Sequence, residues 1–167
     1  DMPDLNVRAE MGVLDWLTRF LVEGVMQVGL MYMPNLRSGL ISEKIIEEEL
    51  VLAASWVNLT MDMQGRYVFV DWGPEFVTAH VMQLPELTNS LLSLALGAMA
   101  AVFVVNRQWA AYLHARYIKK YLDAGTLHLV PDAPRFPYPV WAVWRDDLDT
   151  ELTEGSRDAL RVVSQQA

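Results

Sequence analysis

Three histidines, His80, His114 and His128, are the side chains of this sequence best suited to proton transfer or metal ligation. They stand far apart, with none of the short paired spacings that zinc and metalloprotease sites require. Each therefore reads as a structural or surface residue. Asp146, Asp147 and Asp149 gather carboxylates within one short stretch. They lack the central glycine and terminal glutamate of a calcium loop, so they read as the solvated approach to a helix. There is no Gly-x-Ser-x-Gly elbow, no phosphate loop and no Gly-x-Gly-x-x-Gly. The absence of cysteine rules out a thiol nucleophile, a disulfide and a cysteine-ligated metal within the chain. Asn58-Leu59-Thr60 fits a glycosylation sequon, a match that chance often supplies. The expectation is a protein without catalytic residues, metal or cofactor.

Charge narrows the partners. Thirteen Lys and Arg face 21 Asp and Glu, a formal net charge of −8. Nucleic-acid surfaces need clustered positive charge to displace counterions from phosphates. The densest basic stretch, Arg116-Tyr117-Ile118-Lys119-Lys120, reads as one solvated face of a helix. The chain is not expected to bind DNA by itself. The longest apolar stretch, Leu91 to Val105, is shorter than the ~20 residues of a spanning helix, and Asp1-Met2-Pro3-Asp4 has no signal-peptide layout. No membrane association is expected.

The remaining candidates for chemistry are side chains at the ends of predicted strands. Asp71-Trp72-Gly73 ends the clearest strand, Tyr67 to Asp71, and Pro74 then suits the first turn of a helix over Glu75 to Met82. A helix N-terminus beside a strand end holds anions readily; Trp72 either lines such a site or packs a hinge. Asn106 and Arg107 follow a predicted strand over Ala101 to Val105, as a polar anchor or as a surface loop. Phe136 and Tyr138 lie in a proline-rich crossing (Pro131, Pro134, Pro137, Pro139), and their rings either wall a pocket or pack a core. Met11 and Gly12 follow a first strand at Leu5 to Ala9, and Trp56 lies on an outgoing crossing.

The elements that position these residues alternate. A helix with apolar residues at Leu14, Leu17 and Leu21 leads to a strand over Val25 to Met31, making a strand–helix–strand unit of a parallel sheet. Ile45 to Ala54 reads as extended. Ser90 opens a predicted helix over Leu91 to Met99. A helix from Arg116 to Ala124, a short strand at Thr126 to Val130, a strand at Val140 to Trp144 and a last helix capped by Thr150 or Thr153 complete the chain. Two crossings imply two lobes: residues 1–60 with 138–167, and residues 66–135, joined by crossing segments at 61–65 and 136–137. The cleft between lobes is the default ligand site of such a fold.

Several segments, taken in order, resemble the effector-binding domain of LysR-type transcriptional regulators. Phe20-Leu21-Val22-Glu23-Gly24-Val25-Met26-Gln27-Val28-Gly29-Leu30 is similar to the family's helix, glycine and strand, with Gln27 where the family usually has Asp. Tyr32-Met33-Pro34 fits the proline after that strand. Glu48-Glu49-Leu50-Val51-Leu52-Ala53, Val70-Asp71-Trp72-Gly73-Pro74 and Tyr121-Leu122-Asp123-Ala124-Gly125-Thr126-Leu127 follow in register, as does Leu91 to Gly97. The stretch Asn106 to Tyr112 departs from the family in lacking its glycine-rich turn and proline. The resemblance implies a two-lobed α/β fold of the type II periplasmic-binding-protein-like kind, incomplete at the N-terminus of the first lobe. One further strand and helix, and the winged helix-turn-helix, would precede Leu5 in the family. It implies a cytoplasmic allosteric sensor working as a homodimer or homotetramer. A small-molecule effector would sit near Met11, Gly12, Trp56, Asp71, Trp72, Gly73, Asn106, Arg107, Phe136 and Tyr138, and DNA would be contacted only through the N-terminal region. Two other readings remain: a solute-binding protein of a transport system, or an enzyme with a cryptic site in the cleft. A helix-turn-helix encoded upstream marks the first reading and a signal peptide the second.

Overall fold

The computed structural model describes residues 6–63, 65–95 and 97–166. The helices are α1 (Leu14–Val22), α2 (Pro74–Gln83), α3 (Gly97–Arg107), α4 (Ala115–Asp123) and α5 (Thr150–Gln166). The strands are β1 (Val28–Tyr32), β2 (Leu40–Ile46), β3 (Glu49–Ala54), β4 (Val68–Val70), β5 (Leu92–Leu94), β6 (Ala110–His114), β7 (His128–Leu129), β8 (Phe136–Pro137) and β9 (Val140–Arg145). The chain divides into two compact units, residues 1–47 with 138–167, and residues 48–137. Among the described residues, no helix is long and apolar enough to cross a membrane.

The first unit is a sheet of order β1-β9-β2. Its central strand, β9, runs antiparallel to both neighbours, with Leu30 opposite Ala142 and Ile41 opposite Trp144. The parallel strand–helix–strand unit expected of Leu5 to Ala9, the helix after it and Val25 to Met31 is not formed by the described residues: β1 pairs antiparallel with the returning strand β9. Leu5, the start of the expected first strand, lies outside the described residues, and Asn6 to Ala9 form no strand. Among the described residues β1 thus pairs on one edge only. A cavity of about 990 Å³ lies within this unit, lined by Leu17, Met26, Leu30, Leu148, Leu152 and Val162 among others.

Spacing explains α1: Leu14, Leu17 and Leu21 fall on one face and pack with Met31, Val143 and Leu40. Arg157 and Arg161, four residues apart on α5, both reach Glu43 of β2, and Trp144 Nε1 donates to Ser156 Oγ at 2.9 Å. These contacts seat α5 on the sheet.

In the second unit β6 and β3 are antiparallel from Leu50–His114 to Ala54–Ala110. The other edge of β3 pairs with β7 and β8. That pairing draws residues 48–60, expected in the first lobe, into the second unit. β4 and β5 are parallel, and a parallel bridge from Tyr67 to Ala110 sets β4 beside β6. Helix was expected over Leu91 to Met99 and strand over Ala101 to Val105. The structure has β5 in the first stretch, and the second lies inside α3. Burial shows why: Ala100, Ala101 and Val104 are fully buried whereas Val102 is exposed, the period of a helix and not of a strand. The core joins Val51, Ala53, Val68, Val70, Val104, Leu113, Ile118 and Leu127.

Candidate functional site

β4, β5 and β6 run in one direction and β3 runs against them. Val70, Leu94 and His114 therefore end at the same edge of the second unit, and β3 begins there after Glu48. Each of the three strands hands the chain to a helix: β4 to α2, β5 to α3 and β6 to α4. Three helix N-termini converge on one edge, where α/β sheets bind ligands.

The backbone N–H of Asp71 donates to Leu94 O at 3.0 Å, which ties the ends of β4 and β5 together. Asp71 Oδ1 accepts the Gly73 N–H at 2.9 Å. Gly73 adopts φ 104°, ψ 168° before the first turn of α2, a conformation that an L side chain strains to reach. Trp72 donates its indole N–H to Tyr112 O at 2.9 Å. Its six-membered ring covers Gly97, the first residue of α3; a Cβ there would fall 1.8 Å from the indole. The same indole meets the His114 imidazole edge-on, with ring centroids 4.5 Å apart.

His114 Nδ1 lies 3.9 Å from Glu48 Oε2, and the two side chains are 13% and 7% exposed. Burial pushes the imidazole down to about 4, so it is neutral at pH 7 and the contact is not an ion pair. Glu48 Oε1 accepts the Glu49 N–H at 2.8 Å. Arg135, at 2.5 Å, is engaged by Glu49. The edge thus offers hydrogen-bond donors and acceptors, an aromatic wall and carboxylates. Among the described residues, no group of three or more His, Cys, Asp or Glu could hold a metal.

The expected site residues divide. Asp71, Trp72 and Gly73 stand together at this edge. Trp56, Asn106 and Arg107 do not: β3 ends, and α3 ends before β6 begins, at the opposite edge of the unit. Five residues of β6 separate the two edges by about 14 Å. Trp56 lies under the Arg66 guanidinium, 4.1 Å from the ring centre. Asn106 Nδ2 donates back to Val102 O at 2.8 Å, and Arg107 lies against Phe103. Phe136 is buried, its ring packed against Phe76, Tyr112 and His80. Met11, Gly12 and Tyr138 belong to the first unit. Met11 is 99% exposed, and Tyr138 is buried against Tyr32 with ring centres 4.5 Å apart.

Glu48, Gly97 and His114 stand at the same edge and were not among the expected site residues. The only signal for His114 was its place after an apolar strand and before a helix, hidden when that strand was placed too early. His80 is buried at the heart of the aromatic cluster, where Tyr67 Oη lies 2.8 Å from its Nε2. Burial holds the imidazole below its ordinary value and raises both Tyr67 and Tyr112. A cavity of about 480 Å³ at the opposite edge, lined by Met63, Tyr67, Glu86 and Ser90 among others, contains none of the expected site residues.

No family model and no curated protein matches this sequence. Solved structures do match. The regulatory domain of HypT from Salmonella typhimurium, in its apo form, aligns with 99% of this chain and 85% of its own, at 13% identity and a TM-score of 0.80. DarR of Vibrio fischeri, in complex with DNA, aligns with 91% of this chain and 56% of its own, at 18% identity and a TM-score of 0.76. Full-length HypT, a hypochlorite-specific LysR-type transcriptional regulator, aligns with 92% and 57% at 14% identity and a TM-score of 0.73. The fold is the one LysR-type regulatory domains share, the two-lobed type II periplasmic-binding-protein-like α/β fold.

Proposed function

We propose that this chain is the effector-sensing part of a LysR-type transcriptional regulator. A small molecule held at the strand-end edge around Asp71, Trp72, Gly73, Glu48 and His114 biases how copies of the regulator assemble, as a homodimer or homotetramer. DNA is contacted through a separate DNA-binding region, and no catalytic step is involved. The regulator acts in the cytoplasm. The observation that carries this reading is the convergence of three helix N-termini on one edge, within a fold that aligns with a regulatory domain over nearly the whole chain. A ligand controls such a protein only if it binds the two assembly states unequally.

The test is made on the complete regulator. Operator binding is titrated with and without each compound that stabilises this chain in a thermal-shift screen. A compound that raises the melting temperature should also change operator affinity or the distribution of oligomers. Stabilising compounds that leave both unchanged would remove the sensing role.

A further inference from the structure

We propose that Glu48 is the counter-ion of a protonated amine carried by the effector, and that Asp71 and Glu75 keep organic acids out of the same site. The inference rests on the strand-end edge being the effector site.

The first observation is a buried carboxylate without a cation. The Glu48 side chain is only 7% exposed. Its Oε1 takes the neighbouring Glu49 N–H, and its Oε2 faces His114 at 3.9 Å. Among the described residues no Lys or Arg reaches it. Burying a carboxylate is costly unless a charge or several donors compensate, and a neutral imidazole with one backbone N–H compensates poorly. An ammonium group supplies both charge and donors. Trp72, edge-on to the same imidazole, adds an aromatic surface of the kind that attracts cations.

The second observation concerns anions. A free helix N-terminus carries about half a positive charge with unpaired N–H groups and so attracts carboxylates. Here each of the three has an acidic or aromatic side chain of the same chain beside it. At α2, Asp71 accepts the Gly73 N–H, and Glu75 sits in the first turn. At α3, the Trp72 indole lies over Gly97. At α4, His114 precedes the first turn with Glu48 beside it. Arg135 is engaged by Glu49, and Arg116, in the first turn of α4, is exposed. An entering carboxylate meets the carboxylates of Glu48, Asp71 and Glu75.

The experiment uses matched sets of primary amines, the corresponding carboxylates and the corresponding primary amides, with phenethylamine, phenylacetate and phenylacetamide as one set. Binding to this chain is followed by thermal shift and then by calorimetry. Stabilisation is expected from amines alone. Glu48→Gln, which retains an acceptor for the Glu49 N–H, should weaken the best amine at least tenfold. Asp71→Asn with Glu75→Gln changes two exposed side chains, so the protein stays folded and should now accept the carboxylate partner of that amine. Carboxylates or amides stabilising the unaltered chain as well as amines would overturn the inference while leaving the effector site standing. No stabilisation by any set would overturn both. If Glu48→Gln fails to fold, the double variant decides: continued rejection of carboxylates counts against the proposal.

Discussion

Trp72 and Gly97 illustrate how one residue at this edge depends on another. The indole occupies the volume that a Gly97 side chain would need, 1.8 Å from the position of its Cβ. Gly97→Ala must therefore displace the ring, and overpacking of this kind costs about 1–3 kcal/mol. Trp72→Ala removes the ring and its hydrogen bond to Tyr112 O, at a cost of about 3–5 kcal/mol were the ring fully buried; half-buried Trp72 should fall at or below the lower figure. The two effects share one cause, so they should not add. In the Trp72→Ala background, Gly97→Ala should cost nothing or stabilise through helix propensity. Urea denaturation of the four proteins checks this, and simple additivity would mean the indole moves aside freely. His114 makes a separate statement about pH. Its imidazole falls from an ordinary 6.5 to about 4 on burial. Between those values the unfolded chain binds the proton and the folded chain does not. The stability this group contributes is present above pH 6.5 and is lost as pH falls toward 4, by at most about 3 kcal/mol. His80, lowered by burial too, adds in the same direction. His114→Asn should flatten the decline of stability over this window without abolishing it; an unchanged slope would show that His114 is solvated.

Helix α5 shows at the scale of an element what its capping residue decides. Thr150 or Thr153 was the expected cap, yet Asp149 holds that place: its Oδ1 accepts the N–H groups of Glu151 at 2.9 Å and Leu152 at 3.3 Å. Asp149→Ala should cost about 1 kcal/mol, whereas Thr150→Ala should be nearly silent, and thermal melts of the two variants distinguish them. Other elements were legible to different degrees. The helix around Ile118, the strand at Val140 and the helix from Thr150 follow directly from apolar spacing and flanking turn residues. The stretch from Leu91 to Val105 did not, because an almost continuous apolar run carries no clear period and only burial distinguishes the two readings. That one misplacement moved Asn106 and Arg107 to a strand end they do not occupy and concealed His114. Asp71-Trp72-Gly73 was legible because Gly73-Pro74 breaks a strand and opens a helix in adjacent positions. Glu48 was not, since nothing local tells a carboxylate between two strands that one of its neighbours will be a buried histidine far along the chain.

At the scale of the whole molecule the two units are unequal. The first draws its buried apolar residues, among those described, from Leu21, Met31, Tyr138, Ala142, Val143 and Trp144. The second buries most of β3, β4 and β6 together with one face of α3. Burial of apolar area contributes about 25 cal/mol per Å², so the second unit carries much the larger driving force. Pairing points the same way. β3 has strand partners on both edges, whereas β1 has one among the described residues and has the 990 Å³ cavity within its unit. Regions with few buried apolar contacts open at lower free energy than the core. Native-state hydrogen exchange should therefore rank the amides in two groups. Those of Leu50 to Ala54 and Ala110 to Leu113 should exchange only through global unfolding. Those of Val28 to Tyr32 should exchange through a smaller opening, with a weaker dependence on denaturant. The amides of Val140 to Arg145, flanked by β1 and β2, should behave as β1 does, since the centre of a sheet is protected only as long as its edges stay in place. Equal protection of β1 and β3 would mean that the apolar walls of the cavity have closed on one another or on a further element. Repeating the exchange with the stabilising amine bound separates the two units again: a ligand held at the strand-end edge should slow β3 and β6 and leave β1 unchanged.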